Sequence, residues 1–105
     1  TDVEKCIEGF DGINIKLAKC GGITPALRMI QKARDNNLKV MMGCMTETSI
    51  GISAIAQLLP LLDYVDMDGA MLIDNDPAEG VYLKNGKAIY NDNFGIGARL
   101  KNIAL

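Results

Sequence analysis

Apolar and polar positions alternate over Ile13-Asn14-Ile15-Lys16-Leu17. This predicts a short strand with Ile13, Ile15 and Leu17 on one face and Asn14 and Lys16 on the other. Before it, Val3, Cys6, Ile7 and Phe10 fall at helical spacing, so residues 2–9 read as the end of a helix with Gly9 near its C-cap. After it, Gly21-Gly22 opens a loop. Thr24-Pro25 predicts a helix start, with the threonine hydroxyl as N-cap and proline at the first helical position. Ala26, Leu27, Ile30 and Ala33 repeat on one helical face until Asp35-Asn36-Asn37 ends the run. Leu38 to Met42 is the next strand, and Gly43 to Glu47 the loop after it. A further helix over 48–59 buries Ile50, Ala54, Ile55, Leu58 and Leu59, and Pro60 stops it. Tyr64 to Asp68 is a third strand, with Asp66 and Asp68 on one face and Val65 and Met67 on the other.

Helix and strand thus alternate, which predicts an α/β fold with parallel strands and outer helices. Past Pro77 the pattern changes. Val81 to Lys84 and Lys87 to Tyr90 flank Asn85-Gly86, a strong hairpin signal. Residues 91–105 read as an irregular tail outside the sheet.

Composition narrows the function classes. Net charge is −2 with no Lys/Arg cluster, so nucleic acid is not an expected partner. No apolar run reaches the length of a membrane span, and Thr1-Asp2-Val3-Glu4 is too polar for a secretory signal. Cys6, Cys20 and Cys44 lack the close pairing of a zinc site and read as free thiols of a cytoplasmic protein. The chain has no histidine, so acid–base chemistry falls to Lys, Asp, Glu, Tyr or Cys.

In a parallel α/β fold the site forms at the C-terminal ends of the strands. The first of those ends carries Lys16, then Lys19-Cys20-Gly21-Gly22. The second carries Gly43-Cys44-Met45 and Glu47, and the third Asp66 and Asp68. A lysine facing inward needs a partner or a use. Two neighbouring carboxylates repel and need a cation between them, whether ammonium, guanidinium or metal. Each feature alone has a plainer reading: Lys16 and the aspartates solvated, Gly21-Gly22 a flexible lead, Cys44 and Met45 core, Glu47 a favourable charge at a helix N-terminus. Their coincidence at one end is the informative feature, with no such cluster expected at the other.

These residues resemble a known family. Ile15-Lys16-Leu17-Ala18-Lys19-Cys20-Gly21-Gly22, Gly43-Cys44-Met45-Thr46-Glu47-Thr48 and Asp66-Met67-Asp68-Gly69 are similar, in order and spacing, to the last part of the dipeptide epimerases. These belong to the muconate-lactonizing subgroup of the enolase superfamily. The lysine and Gly-Gly stretch marks the subgroup; the Asp-x-Asp marks the dipeptide epimerases. The resemblance implies a modified TIM (β/α)₈ barrel with a capping domain. It also implies 1,1-proton transfer at the α-carbon of an L-Ala-D/L-Glu-type dipeptide, through an enolate held by Mg²⁺. In that frame Lys16 is one of two opposed catalytic lysines. Asp66 and Asp68 bind the dipeptide's α-ammonium, and the Cys44-Met45 backbone touches substrate.

The resemblance leaves half a site to be supplied. The opposite lysine and the Mg²⁺ ligands are expected from strands outside this chain, which contributes no metal ligand of its own. A barrel needs roughly 250 residues, so 105 residues predict a C-terminal fragment that packs on the N-terminal portion of the same enzyme, itself expected to be a homo-oligomer. Residues 1–80 would be barrel, and 81–105 a hairpin and tail against the capping domain. Two alternatives are weighed. One is a muconate cycloisomerase or o-succinylbenzoate synthase, whose substrates lack an ammonium. The other is a non-catalytic half-barrel module.

Overall fold

The computed structural model describes residues 2–102; Thr1 and the last three residues of the expected tail lie outside the described residues. Three parallel strands in the order β1-β2-β3 form the main sheet: β1 is Gly12–Lys16, β2 Lys39–Gly43 and β3 Tyr64–Asp66. The helices are α1 (Val3–Cys6), α2 (Leu17–Cys20), α3 (Ile23–Asp35) and α4 (Ser49–Ala56). α3 and α4 are the crossovers that let successive strands run parallel.

Register divides the sheet into two faces. Ile15, Met42 and Val65 align across the three strands, with Ile13 beside Val40. On this face Ile15, Val40 and Met42 are fully buried, packed with Ala26, Ile30 and Ala33 of α3 and Ile52, Ile55 and Ala56 of α4. Burying each large side chain among them contributes about 1.5–3 kcal/mol. The other face carries two rows, Asn14-Met41-Tyr64 and, one step nearer the strand ends, Lys16-Gly43-Asp66.

Several boundaries depart from the sequence expectation. Leu17 leaves the strand and opens α2, which Gly21 closes in the left-handed region at φ 99°. α3 begins at Ile23, with Gly22 at the N-cap position, so Thr24 does not cap it. Pro25 sits inside the first turn, where its missing N–H has no intrahelical partner to lose. Leu27, Ile50 and Phe10 were expected in apolar faces and are exposed. Leu27 is one residue, about 100°, off the line of Ala26, Ile30 and Ala33. Ile50 lies off the Ile52-Ile55-Ala56 face of α4, and Phe10 follows the end of α1. The start of α4 holds: Thr48 Oγ1 accepts from the Ile50 N–H at 3.3 Å. Asp76 reinforces it by accepting from the Ser49 N–H at 2.9 Å and hydroxyl at 2.5 Å. Burial pushes the Asp76 carboxyl up, but these bonds and the Ala78 N–H hold it below the ordinary carboxylate range.

β3 stops at Asp66. Asp68 has φ −86° and ψ 0°, and opens a 3₁₀ turn over Gly69–Leu72. Gly69 lets this turn approach the loop after β2 closely: a Cβ there would overlap the Met45 carbonyl and crowd Cys44 Sγ. The hairpin forms as expected, with β5 (Tyr82–Lys84) against β6 (Lys87–Ile89). Asn85 and Gly86 have φ 51° and 73°, as a tight hairpin turn requires. The tail is more ordered than expected. Arg99–Leu100 (β7) pairs antiparallel with Ala78–Glu79 (β4), in a two-stranded ribbon apart from the main sheet.

Candidate active site

The C-terminal ends of β1, β2 and β3 bring the predicted residues together. Lys16, the last residue of β1, is half-buried and reaches over Gly43 of β2. Its Nζ donates to the Cys44 carbonyl at 2.7 Å. Glycine at 43 makes this possible, since a Cβ there would stand 2.7 Å from Lys16 Nζ and 3.3 Å from Asn14 Oδ1. One ammonium hydrogen is thus fixed by backbone, leaving the amine anchored at the mouth of the sheet.

Asp66 completes the row on β3, and Asp68 follows in the turn; both are exposed. The two carboxylates and Cys44 Sγ each offer a ligand atom within 4.8 Å of the others, and the thiol donates to Asp68 Oδ1 at 3.8 Å. Burial pushes the Cys44 thiol up, and the negative charges of Asp66, Asp68 and Glu47 add to it. A protonated thiol with two carboxylates does not fit Mg²⁺, which takes hard oxygen ligands in a near-ideal octahedron. It suits a cation with N–H donors, such as an ammonium. The Met45 side chain is exposed, while its carbonyl packs against Gly69.

Glu47 is the residue whose place the sequence did not reveal. Its Oε2 is buried without a hydrogen-bond partner among the described residues. Burial pushes the Glu47 carboxyl above the ordinary carboxylate range, while the Met45 N–H and the Lys16 charge pull it back. Its seat is made by Gly51, four residues on in α4. A glycine inside a helix, at i+4 from an acid, is the signal that marks such a close approach.

Charged residues also gather at the opposite end of the sheet, contrary to expectation. Arg34 of α3 donates to Asp63 Oδ2 at 2.7 Å and to the Leu61 carbonyl at 2.8 Å. Asp63 also accepts the Val40 N–H at 2.7 Å. The Val40 N–H and Arg34 hold its carboxyl below the ordinary range. Arg34 and Asp63 thus meet each other and the backbone within the fold.

The chain is similar to known proteins over nearly its whole length. An L-Ala-D/L-amino acid epimerase from Maribacter sp. is 62% identical over 95% of this chain, which spans 30% of that relative. An L-Ala-D/L-Glu epimerase from Bacteroides thetaiotaomicron is 49% identical over 91% of the chain and 25% of its own length. Among solved structures, the Cytophaga hutchinsonii dipeptide epimerase complexed with Mg and the dipeptide D-Ala-L-Val superposes with TM-score 0.85. It has 30% identity, over 96% of this chain and 29% of that one. The chain therefore spans about 30% of the length of the curated relative from Maribacter, and its strands and helices are part of an enolase-type (β/α) barrel. Residues 5–104, nearly the whole chain, match one family throughout. The chain belongs to the enolase C-terminal domain-like family.

Proposed function

We propose that this chain is the part of a dipeptide epimerase that supplies one catalytic lysine and the ammonium-binding end of the site. One observation carries the reading: Lys16, Gly43 and Asp66 lie in a single row across three strands, with Asp68 and Cys44 closing the same end. A substrate α-ammonium between Asp66 and Asp68 would set the α-carbon of the second residue at a fixed reach from Lys16. As a neutral amine, Lys16 Nζ takes the α-proton from one face and the C–H electron pair stays on the substrate as an enolate. A second lysine, from a strand outside this chain, returns a proton to the other face. Run in reverse, Lys16 is the donor.

The L-Ala-D/L-Glu type of dipeptide is the substrate class, as in the name of the Bacteroides thetaiotaomicron relative. Mg²⁺ belongs to the complete enzyme, with ligands outside this chain. The preceding barrel strands are the first partner, and a homo-oligomer the expected assembly. Exposed Phe94 and Leu100 support an apolar contact between the hairpin–tail region, 81–105, and a capping domain. Among the described residues no helix is long and apolar enough to cross a membrane. The three cysteines are free, which supports a reducing, cytoplasmic setting.

The test compares substrates in the complete enzyme. A charge-assisted contact contributes about 1.5–3 kcal/mol. Asp68→Asn is therefore expected to lower kcat/KM on a free-amine dipeptide roughly ten- to a hundredfold. N-acetyl dipeptides are expected to be poor substrates for the wild type and to lose little more in the variant. Equal losses on both substrates would show that the aspartates do not hold the ammonium.

A further inference from the structure

Three places in the chain put an aspartate or asparagine directly before glycine: Asp11-Gly12, Asp68-Gly69 and Asn85-Gly86. At such a pair the glycine nitrogen can attack the preceding side-chain carbonyl carbon and close a cyclic imide, because glycine has no side chain to shield it. How firmly the fold holds the two residues decides whether it does. Gly12 is paired with Lys39 in the main sheet, and a Cβ on it would stand 2.7 Å from the Lys39 carbonyl. Gly69 is packed against the Met45 carbonyl.

Asn85-Gly86 is held by neither means. Both residues are exposed, and the space that a side chain at Gly86 would take is open. The Gly86 N–H donates to no backbone carbonyl among the described residues. The side-chain amides of Asn36 and Asn91 donate to the Lys32 and Gly97 carbonyls at 2.8 and 2.9 Å, whereas that of Asn85 makes no hydrogen bond among the described residues. The attacking nitrogen and the attacked carbon are thus both unengaged. Ring closure also needs the turn to open. The hairpin consists of the pairs Tyr82–Ile89, Leu83–Ala88 and Lys84–Lys87, with no third strand, and a two-stranded ribbon is marginal by itself. Its last pair sets two exposed lysines directly opposite each other, and like charges there weaken the end beside the turn. The same ammonium groups favour the anion that forms as the Gly86 nitrogen gives up its proton.

We propose that Asn85 is a site of spontaneous modification, opened to reaction by the Lys84–Lys87 pair. The Gly86 nitrogen bonds to Asn85 Cγ and the bond from Cγ to Nδ2 breaks. The amide nitrogen leaves as ammonia, carrying the proton that Gly86 gave up. Water then opens the imide at one carbonyl or the other, giving aspartate or isoaspartate, and nothing is oxidised or reduced. Either product places a carboxylate between the two lysines in sequence. Isoaspartate also lengthens the backbone of a two-residue turn, which disturbs the register of the strands beyond it. The proposal is independent of the epimerase reading.

The test incubates the complete enzyme in mildly alkaline buffer without denaturant and digests it at intervals. Mass spectrometry follows the peptide carrying residues 85 and 86, and enzymatic methylation of isoaspartate reports that product. The peptide is expected to gain the mass of an amide-to-acid exchange, with isoaspartate among the products. Over the same interval Asn36 and Asn91 are expected to stay intact, and Asp11-Gly12 and Asp68-Gly69 to yield no isoaspartate. Lys87→Glu turns the like-charged pair into an opposite-charged one and is expected to slow the reaction roughly two- to tenfold. Lys87→Arg, which keeps the charge, is expected to react near the wild-type rate. Asn85 that stays intact in the folded enzyme while the urea-unfolded enzyme is modified would overturn the proposal. So would equal rates in the wild type and Lys87→Glu, or isoaspartate arising as fast at Asp11 or Asp68.

Discussion

The two ends of the three-stranded sheet carry similar residue types and treat them in opposite ways. At the start of β3, Asp63 accepts from the Val40 backbone and from Arg34, and Arg34 closes onto Leu61. Arg34 and Asp63 there are matched to each other and to the backbone. At the other end, among the described residues, Glu47 has a buried oxygen with no partner, two aspartates lie side by side, and Lys16 is tied by a single backbone bond. A cluster that satisfies itself supports the fold. A cluster that does not is poised for something that arrives. In a barrel this is the ordinary division between the stability end and the chemistry end.

The contrast predicts which substitutions separate activity from stability. In the complete enzyme, Lys16→Ala is expected to lower kcat for epimerisation by about 10²–10⁴, with the thermal unfolding midpoint unchanged. Gly43→Ala is expected to come next. Its methyl would displace an amine 2.7 Å away, and a misplacement near 1 Å costs on the order of a hundredfold. An unchanged kcat in that variant would mean that Lys16 need not sit over Gly43.

Asp63→Asn inverts the pattern. It is expected to lower the unfolding midpoint and to leave kcat/KM within about twofold, because Asp63 lies far from the reacting end. Loss of activity without loss of stability would erase the distinction between the two ends. The smallest effect is in pH dependence. Asp63 and Asp76 are held below the ordinary carboxylate range. Their contribution is present above the unfolded pKa of about 3.9 and is lost as pH falls through the folded values. Glu47 is held above its range, so its contribution favours the fold at low pH and is lost as pH rises through the folded value. Unfolding midpoints measured from about pH 3 to 6 should therefore show Asp63→Asn flattening the acid side. Glu47→Gln should gain relative stability toward pH 6, and equal slopes in the two variants would contradict the contrast.

Much of this was legible from local pattern. Alternation at Ile13 to Lys16 and the Asn85-Gly86 turn act within a few residues, so β1 and the hairpin followed from them. That Lys16 and Asp66 fall in one row followed from strand parity, whereas Asp68 reaches the same end through the turn after β3. Part of what escaped depends on contacts distant in sequence. The turn at Asp68 sets Gly69 against the Met45 carbonyl, 24 positions earlier. The burial of Glu47 depends on space left by Gly51, and the β4–β7 ribbon joins segments about 20 residues apart. Thr24-Pro25 misled because the backbone of Gly22 starts α3 a turn position earlier than any side-chain cap would.

The most direct measurement is the fate of the α-proton in deuterated water. The complete enzyme is incubated with each epimer of an L-Ala-Glu dipeptide in turn, and the α-proton signal is followed by NMR in the wild type and in Lys16→Ala. The wild type is expected to epimerise and exchange both. Lys16→Ala is expected to epimerise both at least about a hundredfold more slowly, yet still to exchange the one epimer whose α-proton faces the opposite lysine. Epimerisation at near wild-type rate by Lys16→Ala would contradict the account, as would loss of exchange from neither epimer.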